Sequence, residues 1–257
     1  MYKRTLFLVL IAALTFAVFS PTIAQDDAET IVDGLVNPRN LWFDSDGNLY
    51  VAESGNAGEM LTANDDAIGA SGQITVVSDD GEAEVLLRGF LSSPAGGARG
   101  PQAVQATEDS YWVLLGEIAD ADFPLAAALV EIDREHNRVK TFVDLLTIEL
   151  EQDPDGNPNG ESNPVDFAVA PDGTVYIANA GCNCLMSWTA EDGVAIAASW
   201  PFEGDNPVPT SVEIDAEGNI YVGFLTGFPF PEGGARVEVW SGGELVQTYG
   251  GLTAVTG

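Results

Sequence analysis

Apolar and polar side chains alternate with period two in short runs, and the runs return in a fixed setting. Leu41/Phe43, Phe167/Val169 and Val212/Ile214 each begin three residues after a proline and lead into an acidic-glycine pair: Asp46-Gly47, Asp172-Gly173 or Glu217-Gly218. Beyond that pair comes a second short run centred on tyrosine: Leu49-Tyr50-Val51, Val175-Tyr176-Ile177 and Ile220-Tyr221-Val222. Each part has a physical cause. Proline lacks an N–H and sits at the start of a strand rather than inside it. Period-two alternation marks a strand. The acidic-glycine pair supplies the positive φ that a tight hairpin needs. A worn copy runs from Pro101 through Val104, Ala106, Asp109 and Ser110 to Val113, so Pro38, Pro101, Pro164 and Pro209 lead four copies, 63, 63 and 45 residues apart.

A further hairpin follows each first one. Ile74–Val77 turns at Asp79-Asp80-Gly81 into Glu84–Leu87, and Ala128–Ile132 turns around Arg134–Asn137 into Val139–Val143. Leu185–Trp188 turns at Glu191-Asp192-Gly193, and Ala235–Trp240 at Ser241-Gly242-Gly243. Two hairpins per repeat of about 45 residues make a four-stranded antiparallel blade, so the expected fold is an all-β β-propeller. The blades fall at about 31–97, 98–160, 161–205 and 206–250, with the extra length of the first two repeats in loops such as Ser54–Ser71 and Glu149–Ser162. Gly251–Val255 has the shape of the Gly34–Pro38 lead-in, so 251–257 reads as the start of a fifth blade and the chain as C-terminally incomplete. An incomplete propeller exposes an apolar blade face and a strand edge prone to association.

The N-terminus reads differently. Lys3 and Arg4 precede the unbroken apolar run Leu6–Phe19, then small residues to Ala24. This is the pattern of a secretory signal peptide, residues 1–24, cut near Ala24-Gln25. It is too short to span a bilayer comfortably, and no later segment is apolar for long enough, so the expectation is an extracytoplasmic protein, periplasmic or secreted. The 40 Asp+Glu against 9 Lys+Arg give a formal net charge of −31, which repels phosphate backbones and anionic lipid and argues against a nucleic-acid partner. With 46% hydrophobic residues the chain has the core formers that disordered acidic chains lack.

Certain phrases resemble one family. Leu225-Thr226-Gly227-Phe228-Pro229-Phe230-Pro231 with Gly234-Ala235-Arg236-Val237 is the most specific, joined by Glu161-Ser162-Asn163-Pro164, Gly100-Pro101, Asn37-Pro38-Arg39 and Gly47-Asn48-Leu49-Tyr50-Val51-Ala52-Glu53. From about Ile31 to Gly257 the chain is similar to the ScyD/ScyE proteins, exported NHL-like propellers associated with scytonemin biosynthesis. The resemblance implies a propeller of about six blades and export. It implies no defined reaction.

Chemistry has sparse material. The one histidine, His136, falls in the turn Arg134–Arg138, and no phosphate loop, HExxH or CxxC pair occurs. Cys182-Asn183-Cys184 is open between a tight disulfide, two structural thiols and a metal or redox role. Asp153, Asp155 and Asn157 alternate as hard oxygen donors for calcium would, although Pro158 and Pro164 stand where an EF-hand needs Gly and Glu; a solvated turn is the other reading. The inner strands place Arg39, Asn40, Gln102, Asp166 and Thr210-Ser211 at the channel mouth, with Glu53 and Asn179 ending the second strands. Such a ring suits a divalent ion such as Ca²⁺ or a small polar molecule, or simply lines a water-filled channel. Three functions are consistent with this: a non-catalytic binding or scaffold propeller, a calcium-dependent lactonase-like hydrolase of the gluconolactonase type, and a module that binds an extracytoplasmic protein.

Overall fold

A computed structural model describes residues 29–61, 65–93, 99–117, 127–157, 160–202 and 206–256; the signal-peptide segment lies outside them. The body from Val32 onward is almost wholly β, in four antiparallel sheets. The first holds β1 (Pro38–Phe43), β2 (Leu49–Glu53), β3 (Met60–Leu61), β4 (Ala67–Val77) and β5 (Ala83–Ser92). The second holds β6 (Pro101–Ala106), β7 (Ser110–Leu115), β8 (Ala128–Asp133) and β9 (Arg138–Asp144), followed by the helix α1 (Leu145–Gln152). The third holds β10 (Pro164–Val169), β11 (Val175–Asn179), β12 (Cys184–Thr189) and β13 (Gly193–Ser199), and the fourth β14 (Pro209–Ile214), β15 (Ile220–Phe224), β16 (Ala235–Ser241) and β17 (Glu244–Leu252). The last three are simple four-strand meanders; the first adds the short β3 against β4. Among the described residues no helix is long and apolar enough to cross a membrane.

Neighbouring sheets pack face to face, each contributing alternate residues of its strands. Tyr50, Ala52 and Ile74 of the first meet Val104, Val113, Val130 and Ile132 of the second. The second's other face, with Trp112, Leu114 and Leu129, meets Phe167, Ile177 and Met186 of the third. Ala168, Ala178 and Leu185 of the third meet Val212, Val222 and Phe224 of the fourth. Each interface also carries an aromatic pair: Tyr50–Tyr111 at 6.4 Å, Trp112–Trp188 at 5.1 Å and Trp200–Phe224 at 4.7 Å between ring centroids. Strands buried on both faces explain why the repeats are apolar on both sides of the tyrosine. Leu41 and Phe43 of β1 are 55% and 60% exposed, and β17 is exposed along its whole length.

The hairpin in each clear repeat closes as its sequence predicts, with Gly47, Gly173 and Gly218 at φ of 88°, 89° and 83°. The aspartate ahead of two of these turns organises them. Asp44 accepts the backbone N–H groups of Asp46 and Asn48, the Asn48 amide and, at 3.3 Å, the Tyr50 hydroxyl. Asp215 repeats this with Glu217, Asn219 and Tyr221. Tyr50 and Tyr221 therefore tie strand to turn as well as packing, whereas the third repeat has Ala170 in place of the aspartate.

Two loop expectations change. The Ser54–Ser71 stretch contains β3 and the start of β4, and the loop expected from Glu149 begins inside α1. Asp144 caps that helix by accepting the Thr147 N–H, and Asp153 ends it in the left-handed conformation. β17 also runs on to Leu252 opposite Ala235, past the expected blade boundary at 250.

Candidate functional site

All four inner strands carry the same irregularity. The register slips just after the leading proline in β1, β6, β10 and β14, leaving one extra residue on the inner strand. Such a bulge re-aims side chains out of the ladder. It is what frees the polar residues of these strands to meet across the centre. Arg39 Nε donates to Gln102 Oε1 at 3.1 Å, linking the first and second blades. Asn40 Nδ2 donates to Asp166 Oδ1 at 2.6 Å, linking the first and third across 126 residues. Asp166 Oδ2 accepts the Val212 N–H of the fourth at 2.9 Å. A cavity of about 30 Å³ lies among these strands, lined by polar Asn40, Gln105, Asp166 and Glu213. That is room for about one water molecule.

Asp166 is 6% exposed, and its carboxyl is pushed up to about 7. Burial is the main cause and the Glu213 charge adds to it, against the lowering influence of the Val212 and Phe167 N–H groups and Asn40. Burial also raises Glu213. Gln105 and Glu213 were not among the residues expected here. Gln105 accepts the Val169 N–H at 3.0 Å, and both follow the leading proline by four residues, the repeat position that could have revealed them.

The remaining axial candidates separate. Ser211 lies against Gly223, where a Cβ would stand 2.3 Å from its hydroxyl, and Thr210 donates to the Val255 carbonyl at 2.6 Å. Glu53 and Asn179 hold the segments that lead into their own blades. Glu53 accepts the Val36 N–H at 2.5 Å, the Gln73 amide at 2.8 Å and the Thr75 hydroxyl. Asn179 accepts the Asn163 N–H at 2.8 Å and donates to Ser162 Oγ at 2.7 Å. Leu115 and Phe224 occupy the equivalent register positions opposite Pro101 and Pro209, so this clamp exists in two blades only.

A second polar cluster lies where the second, third and fourth blades are joined. Cys182 and Cys184 form a disulfide, both fully buried. It flanks Asn183, which is held at φ 46° with 1% exposure. Asn183 Nδ2 donates to Asp155 Oδ2 at 2.8 Å, and its Oδ1 accepts the Val208 N–H at 3.0 Å. Asp155 Oδ1 accepts the Asn157 N–H at 2.9 Å. Oxygens of Asp153, Asp155 and Glu149 lie within 4.8 Å of one another. Glu149 is 1% exposed, and neither carboxylate oxygen has a hydrogen-bond partner. Its carboxyl is pushed up to about 7 by burial, then by Asp155 and Asp153; the Glu161 peptide N–H lies toward it and opposes weakly without reaching hydrogen-bond geometry. Glu149 went unnoticed because its helix was read as loop, although Glu149 and Asp153 have the i, i+4 spacing that shares a helix face.

His136 occupies an exposed turn beside Asp133 Oδ1 at 3.0 Å, as expected of a solvated residue. A cavity of about 520 Å³ lies away from these groups. It lies along the outer edges of the first two blades, lined chiefly by apolar residues such as Leu86, Phe90, Val130 and Phe142, and carries no cluster of reactive groups.

No family model and no curated protein sequence matches the chain. Solved structures do. A gluconolactonase from Xanthomonas campestris superposes with a TM-score of 0.55 at 16% identity, over 87% of this chain and 65% of that one. A luciferin-regenerating enzyme superposes with a TM-score of 0.51 at 13% identity, over 88% and 80%. The chain is a β-propeller. At these identities the likeness establishes the fold alone. The chain spans 52% of a matched chain of Kuenenia stuttgartiensis hydrazine synthase, and 65% of the gluconolactonase.

Proposed function

We propose that this protein is an exported binding propeller, an accessory of extracytoplasmic metabolism such as the ScyD/ScyE resemblance implies, that takes a small polar ligand at its axis. One observation carries the reading. Asn40, Gln105, Asp166 and Glu213, one from each blade, line a common cavity, and the Asn40–Asp166 hydrogen bond already fixes two of them, a preorganised polar surface with no nucleophile–base pair among the described lining residues. A thermal-shift panel of divalent metal ions and of the smallest polar solutes, the sizes that a cavity of about one water molecule admits, tests it. The expected result is stabilisation by at least one ligand that Asp166→Ala removes. Absence of any response across the panel would overturn the reading. Cleavage near Ala24-Gln25 on expression with the full N-terminus, read by mass spectrometry, tests export.

A calcium-dependent lactonase is the second reading, favoured by Asp166, Glu213 and Asn40 around one cavity and by the likeness to a gluconolactonase. Calcium-stimulated hydrolysis of a sugar lactone, lost in Asp166→Asn, would put this reading first.

A further inference from the structure

The buried acid of α1 has no counterpart in the axial site. Glu149 sits near the C-terminal end of the helix, where the exposed carbonyls are the negative pole of the helix dipole and where the last turn carries no basic residue. Asp153 caps that end and Asp155 follows two residues later, so three carboxylates share the least favourable end of the element. Two of them are explained by other contacts or by solvent. Asp155 holds Asn183 and the Asn157 N–H, and Asp153 is exposed. Glu149 is explained by neither. Both its oxygens are buried without a hydrogen bond and face the other two acids, an arrangement that costs several kcal/mol unless something positive lies between them.

Calcium would supply that charge. It takes oxygen ligands at about 2.3–2.6 Å, so two ligands of one ion can stand at most about 5 Å apart. The three carboxylate oxygens, all within 4.8 Å of one another, meet that limit. We propose that Glu149, Asp153 and Asp155 form a calcium site that locks the end of α1 onto the junction of the second, third and fourth blades. Asp155 makes the site structural in effect, since it is tied through Asn183 to Val208 and stands next to the Cys182–Cys184 bridge. The exposed side of Asp153 leaves an entry path and room for water to complete six to eight ligands. The set differs from the Asp153, Asp155 and Asn157 spacing in the sequence by drawing a ligand from the helix.

The test is a calcium titration of the purified protein after EGTA treatment, followed by calorimetry and by thermal unfolding. One equivalent of calcium should bind, raising Tm by roughly 5–10 °C at a hundredfold excess over Kd. Magnesium should be far weaker. Glu149→Gln should lose the calcium-dependent shift while unfolding at a higher temperature than the unsubstituted protein in EGTA, because it removes an uncompensated charge. Asp153→Asn, a surface change without folding consequence, should weaken calcium at least tenfold. Asp166→Asn should leave the response intact, which separates this site from the axial one. The proposal is overturned if calcium does not bind, if Glu149→Gln keeps the full shift, or if the shift is lost in Asp166→Asn alone.

Discussion

Asp166 and Glu149 are both buried acids with carboxyls pushed up to about 7, yet their surroundings are opposite. Asp166 accepts hydrogen bonds from Asn40 and from the Val212 N–H, so a side chain of the first blade and the backbone of the fourth are fixed to the third. Glu149 accepts none and faces two more acids. A raised pKa alone therefore does not distinguish a structural acid from a ligand site. The count of satisfied oxygens does. Buried polar groups in folded proteins are almost always paired, and the unpaired one asks for a missing partner.

The strongest way to break this contrast is at Asp155, which takes part in both kinds of environment. Asp155→Ala would orphan the buried Asn183 amide and remove the Asp155 acceptor of the Asn157 N–H, and should cost roughly 2–4 kcal/mol. Asp153→Asn, at an exposed position in the same cluster and a residue that tolerates the left-handed conformation there, should stay within about 0.5 kcal/mol in EGTA. Denaturant unfolding of the two variants measures the difference directly. Equal losses would mean that the junction does not depend on the Asp155–Asn183 contact.

Next in size is the pH response of Asp166. Its carboxyl moves from 3.8 to about 7 on folding, so the folded chain keeps a proton that the unfolded chain gives up between those values. The contribution of this group is therefore most favourable below about pH 4, declines as pH rises towards 7, and is level above that. A shift of that size corresponds to at most about 4 kcal/mol, and solvent near the cavity will reduce it. Asp166→Asn should flatten this part of the stability–pH curve. A curve unchanged by the substitution would place the titration elsewhere.

The blades and their order were readable because a propeller repeats its local chemistry: proline, alternating strand, acidic-glycine turn and tyrosine return with the same physical tasks. The axial pairs were readable only in part. Arg39, Asn40, Gln102 and Asp166 follow the leading prolines, but their pairing depends on the bulges, and no local pattern in the sequence signals these. Glu53 and Asn179 show the limit of positional reasoning, since a polar residue at the end of a strand can turn to the loop behind it as easily as to the centre. The helix was missed, although Asp144 as cap with Thr147 three residues on is a local signal for its start, whereas the convergence of Asn183 on Asp155 belongs to tertiary structure.

Asn40→Ala makes the smallest change and tests the axial half of the contrast most finely. Asn40 is half-buried, so water can replace part of its contact with Asp166, and the loss should be about 0.5–1.5 kcal/mol. The loss should also depend on pH. Asn40 donates to the carboxylate and so favours the ionised form; without it the Asp166 carboxyl should rise further. The variant should therefore lose more stability above pH 7 than below pH 5, and its decline should extend to higher pH than in the unsubstituted protein. A uniform loss across pH would mean that Asn40 supports the bulged strand without influencing the charge on Asp166, and the axial ring would then be packing in polar dress rather than an electrostatic unit.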